Sequence, residues 1–451
     1  MFNPLGSISI FLIRKAERLL KIKLWLAWPL RREDFGESTE VCTDLTVMEL
    51  ASPILSLLRY LATALLWAIV LWSFLIVLNY KNKGVDNNFF PKISLMTYAW
   101  QSGNVIERKI CNFLEQEYPK DRMEIIVYDN NSIDETEKIC RRYEKKGLIK
   151  YFRTEKHFEF KAPVLDEAID AVSTGDFILF TDPDGVCERT WARKMIQPFA
   201  DNKVGAVVGA IHCGNYYRNI FTRFRAIEDE WATNIVVFGR NGKIRLSRLN
   251  LISGANYALR RTAWESVGKS HGESIVEDIQ MGIRLYGKKW IIESANANLW
   301  QEEVEGPKEY LRQRRRWYQF NTNELIGNTL RIERFLGLLP LTLQSAMFLS
   351  FLYIPYSLGL LISGLNMEID WGRLLLFSAF ILGNILLAIG LKKVGKTKLI
   401  PYILPYFIVD GALQLYCFLE VRLGHVFVKR SAWPKLTDGK YYHVGTPIRT
   451  D

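Results

Sequence analysis

Between residues 60 and 78 the chain carries no charged side chain, and further apolar runs follow at 335–367, 374–391 and 399–419. A run of this length can cross the hydrocarbon core as one helix of about 20 residues, with its backbone polar groups bonded inside the segment. The sequence therefore predicts an integral membrane protein with a polar middle. The fourth run carries Pro401, Pro405 and Asp410, which fit a re-entrant or interfacial piece as well as a span. Lys392, Lys393, Lys396 and Lys398 follow the third run, whereas Glu368 and Asp370 precede it. The positive-inside bias puts the lysine loop in the cytosol, and counting back two crossings puts the middle of the chain there too. One crossing at 60–78 then leaves the N-terminus outside, against its many basic residues.

This divides the chain into a basic amphipathic segment at 1–52, a spanning helix at 53–80, a middle domain at 81–334, a C-terminal membrane region of two or three helices at 335–420, and a tail at 421–451. In the first segment Arg14, Lys15, Arg18, Lys21 and Lys23 alternate with Leu19, Leu20, Leu24 and Trp25. That pattern suits a helix lying on a membrane surface or one packed on the protein's own body. Residues 8–13 are too short an apolar core for a secretory signal. The net charge of +11 would suit nucleic acid, but many basic residues sit beside the apolar runs, where anionic membrane lipid headgroups account for them as well, and no nucleic-acid partner is expected. Six cysteines with no C-x-x-C pair suggest neither a disulfide framework nor a zinc site.

Within the middle domain the hydrophobic period alternates between that of a strand and that of a helix. Short apolar runs at 92–97, 124–128, 149–152, 177–180 and 204–211 alternate with helical spacing at 105–116, 135–144, 162–171 and 190–199. Alternation of this kind implies an α/β, Rossmann-like domain with a mainly parallel sheet, whose ligands bind beyond the carboxyl ends of the strands. The residues to read first are therefore those that end each strand, Tyr98, Asp129 and Asp182. No glycine-rich phosphate loop follows any of the strands.

Asp182 and Asp184 stand one residue apart, where two hard oxygen ligands can hold Mg²⁺ or Mn²⁺ against a diphosphate; alone, such a pair is more often a solvated turn, and its place at the end of a buried apolar strand reverses that weighting. Asp129 opens D-N-N-S-x-D and can receive a nucleobase or ribose, while Ser132 or Asp134 caps the helix that follows. Glu277 and Asp278 open a helical stretch, where two carboxylates also simply compensate the helix dipole. Gln313, Arg316 and Trp317 share one face of a basic helix, as a headgroup-level anchor or as a diphosphate-stabilising arginine beside a sugar-stacking indole.

Taken in order, D-N-N-S-x-D-x-T, D-x-D, S-G-A-N-Y-A-L-R-R at 253–261, E-D and Q-x-x-R-W resemble the inverting family 2 glycosyltransferases of GT-A fold. The set is most similar to the membrane branch of polysaccharide synthases and ceramide glucosyltransferase, and covers residues 93–317. The resemblance implies nucleotide-sugar contacts for Thr97, Tyr98, Asp129, Lys161 and Asp182, and metal ligation by Asp182 and Asp184 with Mg²⁺ or Mn²⁺ as cofactor. It implies an acceptor or diphosphate pocket at Ser253, Gly254, Ala255, Gln313, Arg316 and Trp317, with Asp278 as general base and Glu277 in support. Asn130 stands where D-D-G-S members have a second aspartate, and Phe160 where many have the glycine of G-K-A.

The expected activity is transfer of a sugar from a nucleotide sugar, UDP-linked by resemblance, to a polysaccharide or lipid acceptor. Three apolar segments after Trp317 could wall an export channel, which favours a processive polysaccharide synthase over a single-addition lipid transferase. A catalytically silent membrane receptor or channel that keeps the fold should have lost Asp182, Asp184 or Asp278; all three are present.

Overall fold

The computed structural model describes residues 60, 63–64, 66–81, 88–246, 252–270, 277–314 and 371–423. The elements below belong to the unit that runs from Ala64 to Asp451. The segment at 1–52, Arg316, Trp317, the run at 335–367 and the tail beyond residue 423 lie outside the described residues.

Eight strands form one sheet: β1 Ile93–Ala99, β2 Met123–Asp129, β3 Lys150–Arg153, β4 Phe177–Thr181, β5 Val186–Cys187, β6 Val204–Cys213, β7 Asn256–Arg260 and β8 Ile291–Gln301. Their order is β3-β2-β1-β4-β7-β6-β8-β5. The first four strands pair in parallel, β7 runs antiparallel to β4 and β6, and β8 returns parallel to β6. The sheet is thus mixed rather than wholly parallel. The carboxyl ends of β1, β2, β4, β6 and β8 share one edge with the start of β7.

Helices cover both faces. On one, α1 (Ile106–Leu114), α2 (Thr136–Glu144) and α4 (Trp191–Ile196) pack Ile106, Ile110, Phe113, Cys140 and Trp191 against Leu95, Val127 and Leu179. On the other, α3 (Lys161–Val172), α7 (Arg261–Ser266) and α8 (Glu277–Gly287) pack Leu165, Ile169, Trp264 and Leu285 against Met96, Ile126 and Phe180. Both faces of the central strands are buried, which is why β1 reads as a nearly continuous apolar run. Each buried Leu, Ile or Phe contributes roughly 1.5–3 kcal/mol before chain entropy is set against it. α5 (Ile220–Asp229) continues through a π-helical turn, Glu230–Ile235, into α6 (Val236–Arg240), and Phe224, Ile227, Trp231 and Ile235 of this stretch join a third cluster.

The membrane expectation is corrected here. Among the described residues no helix is long and apolar enough to cross a membrane. The flanking transmembrane helices and the integral-membrane placement with a cytosolic domain therefore lose their support, and the positive-inside argument loses its crossings. Part of the physical reason is that the described apolar runs pack one face on the protein, while Leu71, Phe74, Ile381 and Ile385 stay exposed. Ile69, Ile76 and Val77 of the helix at 66–79 bury against the protein's own body, together with Phe380, Leu387 and Leu391 of α9 (Trp371–Lys393) and Ile403, Tyr406 and Phe407 of α10 (Ile403–Leu423). Their partners are Phe224, Ile227, Trp231 and Ile235. Asp410 in α10 is buried too. It accepts from Tyr310 Oη at 2.7 Å and pairs with Arg314 at 3.1 Å, so the carboxylate faces protein.

Candidate active site

The shared edge of the sheet gathers the polar residues. Asp182 follows β4 directly, and its Oδ1 receives Lys161 Nζ at 2.9 Å. Lys161 is the first residue of α3 and is 4% exposed at its side chain, against 32% for Asp182. Burial opposes the lysine's charge, but Asp182, Tyr128 and Glu277 raise it well above the ordinary value. The same ammonium lies 5.7 Å from the ring centroid of Tyr98, whose hydroxyl accepts from Asn130 Nδ2 at 2.8 Å. Burial pushes that phenol up to about 12. Asn130, which departs from the D-D-G-S form, also ties the strand end to Phe158 through its side-chain carbonyl and amide.

Asp184 is half-buried, and its backbone carbonyl accepts from Arg108 Nη2 at 2.7 Å. The Gly185 amide closes the turn onto the Asp182 carbonyl at 3.3 Å. A Cβ at Gly185 would come within 2.8 Å of Leu299, so the turn lies against β8. Among the described residues no group of three His, Cys, Asp or Glu side chains forms a metal site. Asp182 and Asp184 offer two carboxylates, a donor set that suits Mg²⁺ or Mn²⁺ when diphosphate oxygens and water add to it. On that chemistry the residues fit the expected cation.

At the start of β7 the chain passes close to α8. The Gly254 amide donates to Asp278 Oδ2 at 2.6 Å, and the Ile279 amide donates to Oδ1 at 2.8 Å. A Cβ on Gly254 would stand 3.0 Å from that Oδ2, so the glycine permits the approach. Burial and the Asp278 carboxylate push Glu277 up to about 8, against the pull of Lys161. Burial raises Asp278 as well, while the two amides hold it down. Neighbouring carboxylates do not readily ionise together. The pair therefore holds a proton more tightly than ordinary carboxylates do, and the two amides favour the anion on Asp278.

Other expected residues have different surroundings. Asp129 is fully buried and accepts from the Ser132 amide and hydroxyl and from Tyr151 Oη. Asp134 accepts the Thr136 amide at 3.0 Å, which holds the start of α2, and the Gly103 amide at 2.8 Å. Thr97 is buried in β1, and its Oγ1 finds no hydrogen-bond partner among the described residues. Ser253 is half-buried beside Gly254 and accepts the Asn256 amide through its carbonyl. Asn256 itself is structural, bonding Ala210, Ala297 and Trp191 across three elements. Gln313 is buried, with Nε2 at 3.3 Å from Glu303 Oε2.

Two arginines outside the sequence motifs brace this site. Arg108 joins the Asp184 carbonyl to Glu302 at 3.1 Å, and Arg225 grips Glu303 at 2.8 Å. Residues 302–303 thus connect the D-x-D turn to the helical stretch that carries Gln313. In the sequence the only signal was charge at helix positions that should face the core.

Residues 94–268 match the family model described as glycosyl transferase family 2. This stretch is similar to the family 2 glycosyl transferases. Over 239 residues it is 31% identical to the "Probable glycosyltransferase YdaM" of Bacillus subtilis, covering 51% of this chain and 55% of that protein. Over 232 residues it is 25% identical to the beta-monoglucosyldiacylglycerol synthase of Nostoc, covering 50% and 48%. It is 25% identical over 244 residues to the UDP-forming cellulose synthase catalytic subunit of Pseudomonas fluorescens, covering 51% and 31%. The chain spans about half the length or less of these curated relatives. A solved structure, the mannosyltransferase PcManGT of Pyrobaculum calidifontis in complex with GDP-Man and Mn²⁺, aligns at a TM-score of 0.48 and 19% identity over 81% of this chain and 98% of its own.

Proposed function

We propose that the protein moves a sugar, with inversion, from a UDP-sugar to a hydroxyl of a lipid acceptor. The observation that carries this reading is the Asp278 carboxylate, held by the Gly254 and Ile279 amides beside Glu277 where β7 begins. Asp278 takes the proton of the acceptor hydroxyl as its oxygen bonds to the anomeric carbon. The bond from that carbon to the diphosphate breaks on the opposite side. The diphosphate leaves without a second acid, which separates this site from the paired carboxylates of a glycosidase. Lys161 meets part of the charge on the leaving group, and Asp182 and Asp184 would hold Mg²⁺ or Mn²⁺. The cation, when bound, neutralises the departing nucleoside diphosphate.

On the donor side, Thr97, Tyr98 and Asp129 end β1 and β2, where a nucleobase and ribose would rest. Asp129 would act there through Ser132 and Tyr151, which occupy its oxygens. Ser253 and Gly254 would shape the sugar pocket, and Gln313, Arg316 and Trp317 would close its acceptor side.

The acceptor is chosen by two considerations. Polymer export needed the apolar runs to wall a channel, and the described ones bury a face against the domain instead. Relatives that bear the name beta-monoglucosyldiacylglycerol synthase support a single addition to a lipid. The test incubates the full chain with labelled UDP-glucose or UDP-N-acetylglucosamine, Mn²⁺ and diacylglycerol micelles. Label in a lipid carrying one sugar supports the reading, whereas high-molecular-weight, glycosidase-sensitive product would replace it with a polymerase.

A further inference from the structure

Lys109 sits where a lysine is hard to account for. It lies in α1 and is fully buried, with Nζ donating to Thr181 Oγ1 at 2.8 Å and standing 4.0 Å from Cys187 Sγ. The ammonium is also 5.0 Å from the Phe113 ring centroid. No carboxylate among the described residues forms an ion pair with it. Thr97, in register with Thr181 across the strand pair, adds a buried hydroxyl without a partner. Lysines are almost never fully buried unless paired, and removing an ammonium from water is costly. A methionine would fill the same slot without that cost, so packing alone does not explain the residue.

Its charge acts on the turn above it. Burial lowers the lysine from its ordinary value, Cys187 opposes that, Arg108 adds to it, and Asp184 and Asp182 oppose it. Thr181, the hydroxyl partner, is the residue immediately before Asp182. Arg108, the preceding residue of the same helix, donates to the Asp184 carbonyl at 2.7 Å. Two consecutive cations therefore hold both ends of the turn from inside the core, while Lys161 meets Asp182 from the other face.

We propose that Lys109 is a fixed counter-charge beneath the Asp182–Asp184 turn, weakening its hold on a divalent cation and strengthening its hold on a nucleoside diphosphate. The inference rests on the reading of that turn as the diphosphate site. A buried positive charge repels a divalent cation on the neighbouring carboxylates and attracts a polyanion at the same place, and water screens neither effect fully. The protein thus supplies part of the positive charge that the diphosphate needs, and lets the cation go more readily once the products separate.

Two binding measurements on the full chain test this. Free Mn²⁺ is followed by electron paramagnetic resonance without nucleotide, and UDP or GDP binding is followed by calorimetry in excess chelator. Lys109→Met should tighten Mn²⁺ binding by roughly threefold to tenfold and weaken nucleotide binding by a similar factor. Lys109→Gln keeps a donor for Thr181 without the charge and should follow the methionine variant. Circular dichroism and melting compare the fold of each variant with the parent. Unchanged affinities in either folded variant would overturn the proposal. So would two affinities that fall together, since a displaced turn would give that. Parent protein that binds neither nucleotide in the presence of Mn²⁺ overturns the diphosphate reading itself, and this inference with it.

Discussion

Glu277→Gln should make the protein's stability less dependent on pH. In the folded chain burial and the Asp278 carboxylate push Glu277 up to about 8, against an ordinary 4.5. The folded state therefore binds more protons than the unfolded one between those values, and its stability falls as pH rises from about 4.5 through about 8. At 1.36 kcal/mol per pH unit the full rise corresponds to roughly 4 to 5 kcal/mol, shared with Asp278 because the two carboxylates release their protons as a pair. About 2 to 3 kcal/mol of it falls between pH 6 and pH 9. Glutamine keeps the size and neutrality of the protonated acid and cannot ionise. Guanidinium titrations at pH 6 and pH 9 should show the variant gaining on the parent by roughly 1 to 3 kcal/mol at the higher pH. Turnover near pH 7 should survive, because Asp278 carries the anion. A constant difference between variant and parent, or a gap that widens toward acid, would refute the assignment of the proton to Glu277.

Asp278→Asn should bind the donor as before and lose about 10²- to 10⁴-fold in turnover, as removal of a general base does; unchanged single-turnover rates would remove it from the mechanism. Gly254→Ala puts a Cβ 3.0 Å from Asp278 Oδ2 and should lower kcat about tenfold or more with donor KM little changed, which steady-state kinetics would read. Arg314→Met strips a buried cation from Glu228 and Asp410 and should cost about 3 to 5 kcal/mol in denaturant unfolding; a loss below about 1 kcal/mol would mean the cluster is not coupled to folding.

How far the sequence carries depends on which signal each element sends. Strands β1, β2, β3, β4 and β6 were legible because they are apolar and bounded by turns, and the helices because their apolar residues recur every three to four positions. Strand β8 was not, since Ala295, Ala297 and Leu299 face the core while Ser294, Asn296 and Asn298 dilute the pattern. Strand β7, N-Y-A-L-R, is short and ends on a charge, yet it makes the sheet mixed. At the candidate site, Asp182, Asp184 and Asp278 stand out in the sequence because strand and helix ends place them. Arg108 and Lys109 could not, because charge inside a helical run reads as exposed surface. The apolar runs misled for a related reason. Hydropathy reports that a helix avoids water, and it does not say whether lipid or protein takes water's place; Phe380, Leu387 and Leu391 are covered by the domain itself.

Inversion by Asp278 is tested most directly by proton NMR of the anomeric centre during transfer from an α-linked UDP-sugar, with Mn²⁺ replaced by Mg²⁺ to spare the line widths. The coupling constant of the first product should be that of a β-linkage, appearing with the parent chain and absent with Asp278→Asn. An α-linked product, or a β-linked one formed equally by the Asp278→Asn variant, would contradict the account.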